Sequence, residues 1–371
     1  MRRDPIHVVY GGAHLFRAGI SEKLGRLGLH ALETHGSPES LGITAPVWEH
    51  VIRKLKSEPV EDYRIDFEDG YGFRSDADED AEAERCASEL IAADRLPVLI
   101  GIRIKPLSER SRERALRTLR LFLDRAGGRL PANFVITLPK AHKPEQVFEL
   151  IGELPDGVPI ELLIETPEAV RDPRSFVQAA QGRCVAAHFG AYDFLSACGI
   201  PVVDQHLLHP ACDSARDRMR LDLAGTGVRI SDGVTNMLPV GEDSTAVVNA
   251  WRLHMRHVRH ALANGFYQGW DVHPAQIPAR YAAVYSFFHE HAGAVGARLR
   301  KFLDEAAQAT LVGRVFDDIA TGQGLLTFFV RAWNCGAFTE NEVRERTGLT
   351  LDDLRSGWFP DILQRRQPAG V

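Results

Sequence analysis

The chain lacks a cysteine framework. Its five cysteines, Cys86, Cys184, Cys198, Cys212 and Cys335, are odd in number and include no CxxC pair. This argues against a disulfide scaffold and a zinc knuckle, and fits a reducing compartment. Cys184 and Cys198 read as small apolar residues. No apolar run approaches the ~18 residues that a membrane span needs. The opening MRRDPIHVVYGG has neither a long apolar core nor a small-residue cleavage site, so a cytoplasmic protein without a signal peptide is expected. Positive charge is not in excess: the net charge is −6, and the many arginines are scattered among acids. That pattern predicts solvated helix faces rather than a nucleic-acid-binding stripe. The glycine-rich pieces GGAHLF and GYGFRS lack the spacing of a dinucleotide or P-loop fingerprint, and no GxSxG nucleophile elbow is present.

What is present is alternation. The 371 residues, 44% hydrophobic and 25% charged, suit a soluble globular protein, either one barrel of about 250 residues plus an appendage or two ordinary domains. Eight apolar runs recur: 6–10, 63–67, 98–104, 133–138, 160–165, 184–190, 227–231 and 265–270. Amphipathic stretches lie between them at 75–95, 111–125, 144–153, 168–181, 213–225 and 243–263. The longer segment 11–62 predicts more than one helix. Parallel strands need crossovers, so strand alternating with helix predicts a parallel sheet, and eight units predict a (β/α)₈ TIM barrel of the α/β class. A doubly wound open sheet is the rival. After Val272 the strand pattern stops, and a C-terminal all-helical extension is expected, with a Thr339–Glu342 capping box starting one of its helices. The expected division is a catalytic barrel over 1–290 and a helical extension over 291–371, acting as a lid or an oligomer contact.

In such a barrel the chemistry sits at the C-terminal strand ends. Those ends carry Asp66, Glu68 and Asp69; Arg103 and Lys105; Lys140; Glu165; Asp193; Asp232; and Asp271 with His273. An oxygen-rich set with few histidines and no cysteine suits a hard ion, Mg²⁺ or Mn²⁺. Glu165 and Asp193 follow neighbouring strands, whose spacing of about 5 Å lets two carboxylates share one cation. Read singly, each is equally a helix cap or an ion-pair partner. Arg103 ends an apolar strand and needs an anion, either a substrate carboxylate or Asp66 and Glu68. Lys140 is either a substrate- or enolate-binding cation or a partner for DFED. His254, His257 and His260 read as an exposed helix face, and His206 and His209 as loop and packing residues.

Taken in order, DFEDG (66–70), GIRIK (101–105), TLPKAHKPEQV (137–147), LLIETPEAV (162–170), HFGAYDF (188–194), AGTGVRISDG (224–233) and NGFYQGWDVHPAQIP (264–278) resemble the HpcH/HpaI aldolase and citrate lyase β-subunit superfamily. The resemblance covers about residues 6–290 and is nearest to citrate-lyase-like bacterial homologues. It implies Glu165 and Asp193 as metal ligands and Arg103 as the grip on a 2-oxo acid carboxylate. Asp66, Glu68, Gly190 and Ala191 would line the substrate floor, with Lys140 and Asp69 in the catalytic set beside Arg103. The implied function is Mg²⁺-dependent carbon–carbon cleavage or formation on a 2-oxo acid or hydroxyacyl thioester through an enolate, in a homo-oligomer. The sequence departs from the aldolase branch at Asp69, where that branch carries a histidine, and at Lys105, where an asparagine is usual. No coenzyme A fingerprint is visible, so a coenzyme A thioester substrate is not established. A malate-synthase-like condensing acyltransferase and a non-catalytic barrel that binds a small carboxylate stand as alternatives. Asp317 or Asp318 is a further candidate for proton transfer.

Overall fold

The computed structural model describes residues 3–311 and 319–366. Eight parallel strands form a closed barrel in sequence order: β1 (His7–Gly12), β2 (Asp62–Asp66), β3 (Leu99–Arg103), β4 (Phe134–Leu138), β5 (Ile160–Ile164), β6 (Cys184–Phe189), β7 (Arg229–Val234) and β8 (Gln268–Asp271). β1 closes the ring by pairing with both β2 and β8. The (β/α)₈ expectation holds, and the open sheet is excluded.

Two strands are displaced from the apolar runs that predict them. β7 starts at Arg229 because Gly227 has φ +78°, and it runs on through Asp232 and Gly233. β8 starts at Gln268, after the positive-φ turn at Gly265. The stretch 168–181 is two helices, Pro167–Arg171 and Pro173–Ala179. Pro173 has no N–H to continue the ladder, and the Asp172 carboxylate accepts from Ser175 N–H at 3.2 Å to restart it.

The barrel interior is partly ionic. Arg64 in β2 donates to Glu161 Oε2 of β5 at 2.6 Å, to Thr137 Oγ1 of β4 at 3.1 Å, and also to Asp62. Tyr63, one residue out of phase, instead packs its ring on Phe16. His188 Nε2 lies 3.4 Å from Glu161 Oε2, and Trp270 Nε1 donates to His188 Nδ1 at 3.2 Å. Above this layer Val8, Tyr10, Leu163 and Trp270 form an apolar cluster.

The chain divides into two compact units, one over 5–37 and 55–280 that holds all eight strands, the other made of the residues before Pro5, 38–54 and those from Tyr281 on. In the second unit, Tyr285 Oη donates to Cys335 O at 2.8 Å, and His50 Nδ1 lies 2.9 Å from Ala337 O. The Thr339 capping box forms: Thr339 N–H donates to Glu342 Oε2 at 2.7 Å, and Glu342 N–H to Thr339 Oγ1 at 3.3 Å. Among the described residues no helix is long and apolar enough to cross a membrane.

Candidate active site

The loop after β2 is built around one carboxylate. Asp66 Oδ1 accepts from Glu68 N–H at 2.9 Å and Oδ2 from Gly70 N–H at 2.7 Å. A Cβ on Gly70 would stand 2.6 Å from Asp66 Oδ2, so the turn closes only over a glycine. From the end of β3, Arg103 donates through Nε to Asp66 Oδ1 at 2.7 Å and through its Nη2 to Oδ2 at 2.5 Å. Its Nη1 lies 3.0 Å from Glu68 Oε2, and its guanidinium carbon sits 4.8 Å from the centre of the Tyr10 ring. Burial alone would raise the Asp66 carboxyl, but the Arg103 guanidinium and the two N–H donors hold it below the usual carboxylate range.

Lys140 gathers the acids. Its Nζ lies 2.6 Å from Glu68 Oε1, 3.1 Å from Asp69 Oδ2 and 3.7 Å from Asp193 Oδ1. Its backbone is left-handed, φ +48°, and aims its own N–H at Glu165 Oε1, 2.8 Å away. Residues following strands β2, β4, β5 and β6 thus meet at the C-terminal mouth. Burial works against the Lys140 ammonium, yet Glu68, Asp193 and Asp69 outweigh it and raise its pKa.

Glu165, directly after β5, is only 2% exposed. Its carboxyl is pushed up to about 8, first by burial and then by the neighbouring Asp193 and Glu68 carboxylates. Asp193 lies in the first turn of the helix Ala191–Ala197, and its side chain is 46% exposed. Burial raises Asp193 too, against the pull of Lys140. Gly190 and Ala191 follow β6; a Cβ on Gly190 would stand 2.1 Å from Glu165 Oε2, so only glycine leaves that oxygen its place.

The donor set fits a hard divalent cation. The groups are carboxylate oxygens, and the buried Glu165 carboxyl is crowded by like charges that a cation would relieve. Among the described residues no group of three or more His, Cys, Asp and Glu side chains is arranged to hold a metal. Two carboxylates with water and substrate oxygens completing the sphere is the arrangement Mg²⁺ commonly takes.

Other strand-end residues point elsewhere. Asp232 in β7 receives Arg216 Nε at 2.8 Å. Asp271 in β8 receives Arg280 Nε at 2.8 Å and lies 3.1 Å from both His7 Nδ1 and His254 Nε2. His273 caps the turn Pro274–Gln276. Lys105 bonds the Phe67 carbonyl and lies 2.8 Å from Glu79 Oε2. The exposed-face reading of His254 and His257 is wrong: both are buried, and both hydrogen-bond Thr235 Oγ1 through Nδ1, at 2.8 and 2.9 Å. Cys184 is buried as expected, whereas Cys198 is exposed. Asp317 and Asp318 lie outside the described residues. Sequence reasoning missed the Tyr10 face under Arg103 and the interior Arg64–Glu161 pair. Alternation in DYRID, with Asp62, Arg64 and Asp66 on one face, carries the signal for the second.

Fold and mouth together define a (β/α)₈ barrel with a lysine-centred carboxylate cluster at its C-terminal face. The chain belongs to the family described as a domain of unknown function, DUF6986, whose model matches residues 1–362. No curated protein matches it. Among solved structures it is similar to a citrate lyase from Burkholderia xenovorans LB400, at 21% identity over 92% of this chain and 95% of that one, with a TM-score of 0.60. RipC from Yersinia pestis matches at 16% identity over 75% of this chain and 94% of that one, TM-score 0.49. The citrate lyase β subunit of M. tuberculosis, complexed with oxaloacetate and magnesium, matches at 17% identity over 76% and 98%, TM-score 0.48. At such identities the likeness is one of fold.

Proposed function

We propose that the chain is a Mg²⁺-dependent carbon–carbon lyase or aldolase acting on a 2-oxo acid or a hydroxyacyl thioester through an enolate. The observation that carries the reading is the meeting of Glu68, Asp69, Asp193 and Glu165 around Lys140 at one barrel mouth. A citrate lyase with the same fold is consistent with it.

Glu165 and Asp193 would hold the ion. Bound there, Mg²⁺ supplies Lewis acidity toward charge developing on a substrate oxygen. Arg103 orients the substrate carboxylate. Two of its five N–H groups are committed to Asp66, which fixes the plane of the guanidinium, and its Nη1 lies 3.0 Å from Glu68 Oε2, so the remaining N–H groups can turn to a ligand. Asp66 therefore acts as a positioning residue, and Glu68 links Arg103 to Lys140. Lys140 Nζ places positive charge beside the reacting oxygen. Asp69, whose side chain is 62% exposed, lies 3.1 Å from Lys140 Nζ between the cluster and solvent, where it can carry the proton that the reaction moves. Gly190 and Ala191 keep the wall beside Glu165 thin enough for substrate. A homo-oligomer in the cytoplasm is part of the same proposal.

The alternative of a carboxylate-binding barrel without turnover has a specific observation in its favour: among the described residues no three or more His, Cys, Asp and Glu side chains group to hold a metal. One experiment separates the two. Mg²⁺ is titrated calorimetrically into wild type, Glu165→Ala and Asp193→Ala, and the same proteins are assayed on oxaloacetate and a panel of 2-oxo acids and thioesters. Mg²⁺ binding and turnover in wild type, both lost in the variants, is the expected result. Binding of Mg²⁺ and pyruvate with no turnover across the panel favours the binding barrel. Undiminished Mg²⁺ binding by both variants overturns the site itself.

A further inference from the structure

The barrel carries a cavity at the end opposite the mouth. It has a volume of about 460 Å³ and lies among the first turns of the helix Ile20–His35, the segment leading into β2 and the segment leading into β3. That volume is in the range of small-molecule sites. Its lining has two parts. Leu29, Leu55, Pro59, Val60 and Val98 supply an apolar floor. Arg26, Lys56 and Arg95 supply cations, with Glu22 and Glu58 as the acids.

The cations are not consumed by the fold. Arg95 donates through its Nη2 to Ser57 O at 2.8 Å and keeps a loose 3.7 Å approach to Glu22 Oε1. Arg26 and Lys56 have no side-chain partner among the described residues. Three cations against two acids leave a formal excess of one positive charge on the lining. A single anionic head balances that excess, and the apolar floor removes a hydrocarbon body from water. We propose that this cavity is a second ligand site, one that takes an organic monoanion with an apolar body, of the medium-chain carboxylate class. It is independent of the mouth and needs no metal.

The test is calorimetric titration of octanoate, and of butanoate for comparison, into the full chain. Saturable one-to-one binding of octanoate is expected, tighter than butanoate by up to about two hundredfold, since the two differ by four methylenes and each one fully buried is worth about fourfold. Lys56→Glu and Arg26→Glu, both surface changes, are each expected to weaken octanoate about two- to fivefold, with circular dichroism confirming the fold. Prior saturation with Mg²⁺ and pyruvate is expected to leave the octanoate isotherm unchanged. No saturation, equal affinity for the two acids, indifference to both charge reversals, or competition with pyruvate would each overturn the proposal. None of these outcomes bears on the chemistry of the mouth.

Discussion

Lys140 holds Glu165 with its backbone while its ammonium serves other acids. The N–H reaches Glu165 Oε1 at 2.8 Å from a left-handed conformation, and the Nζ turns to Glu68 at 2.6 Å. One residue therefore fixes the buried carboxyl and offsets part of the negative charge around it.

The first prediction concerns Glu165. Its carboxyl titrates at about 8 in the folded chain, against roughly 4.3 when unfolded. Between those values the native state holds a proton that the unfolded state releases. The stability this contributes is complete below the unfolded value and is lost as pH rises toward about 8. In EDTA, urea midpoints of the wild type should fall from about pH 5 to about pH 8, and the fall should shrink in Glu165→Gln. Added Mg²⁺ should restore the midpoint at the higher pH in wild type alone.

Gly190 sets a steric condition on the same carboxyl. An alanine Cβ would lie 2.1 Å from Glu165 Oε2 and 2.4 Å from its Cβ. Gly190→Ala should displace Glu165 at a cost of about 1–3 kcal/mol in stability. Mg²⁺ affinity, followed by calorimetry, should drop more than the melting temperature does.

Arg103 and Asp66 make a fork-to-fork pair. Arg103→Ala is expected to lower kcat/KM by about 2–4 kcal/mol on the productive substrate. Asp66→Asn should loosen the DFEDG loop and lower kcat/KM by less, because Arg103 retains Glu68. Steady-state kinetics of the two variants, with 2-oxo acid affinity measured separately, would show whether the guanidinium touches substrate. Unchanged kinetics in Arg103→Ala would rule that out.

Deeper in the barrel, Arg64 is shared between Asp62 and Glu161. Arg64→Met leaves two buried acids to be met by Arg229, 3.5 Å from Glu161 Oε1, and by neutral partners. A loss of about 3–5 kcal/mol in urea unfolding is expected. Arg64→Met combined with Glu161→Leu should recover part of it.

Much of the fold is legible along the chain because each strand is a short apolar run and each crossover an amphipathic one. All eight runs, the helices between 11 and 62, and the Thr339 cap follow from periods and caps that act over a few residues. The same local signals put Glu165, Asp193, Arg103 and Lys140 at strand ends. Which strand-end groups face the mouth is another matter. Side chains alternate across a strand, so a one-residue shift turns a group from the barrel mouth to the helix layer. β7 and β8 both shift relative to their apolar runs, and Asp232 and Asp271 end on Arg216 and Arg280.

Sequence alone thus determined the barrel, its order and its stock of acids and cations, because hydrophobic period and turn chemistry are properties of neighbours in the chain. Tertiary structure decided that Lys140 turns left-handed toward Glu165, that Arg103 is shared between Asp66 and Glu68, and that Arg26, Lys56 and Arg95 converge on one cavity. Those outcomes depend on distances between residues tens of positions apart, which closing the ring of strands sets and no local pattern encodes.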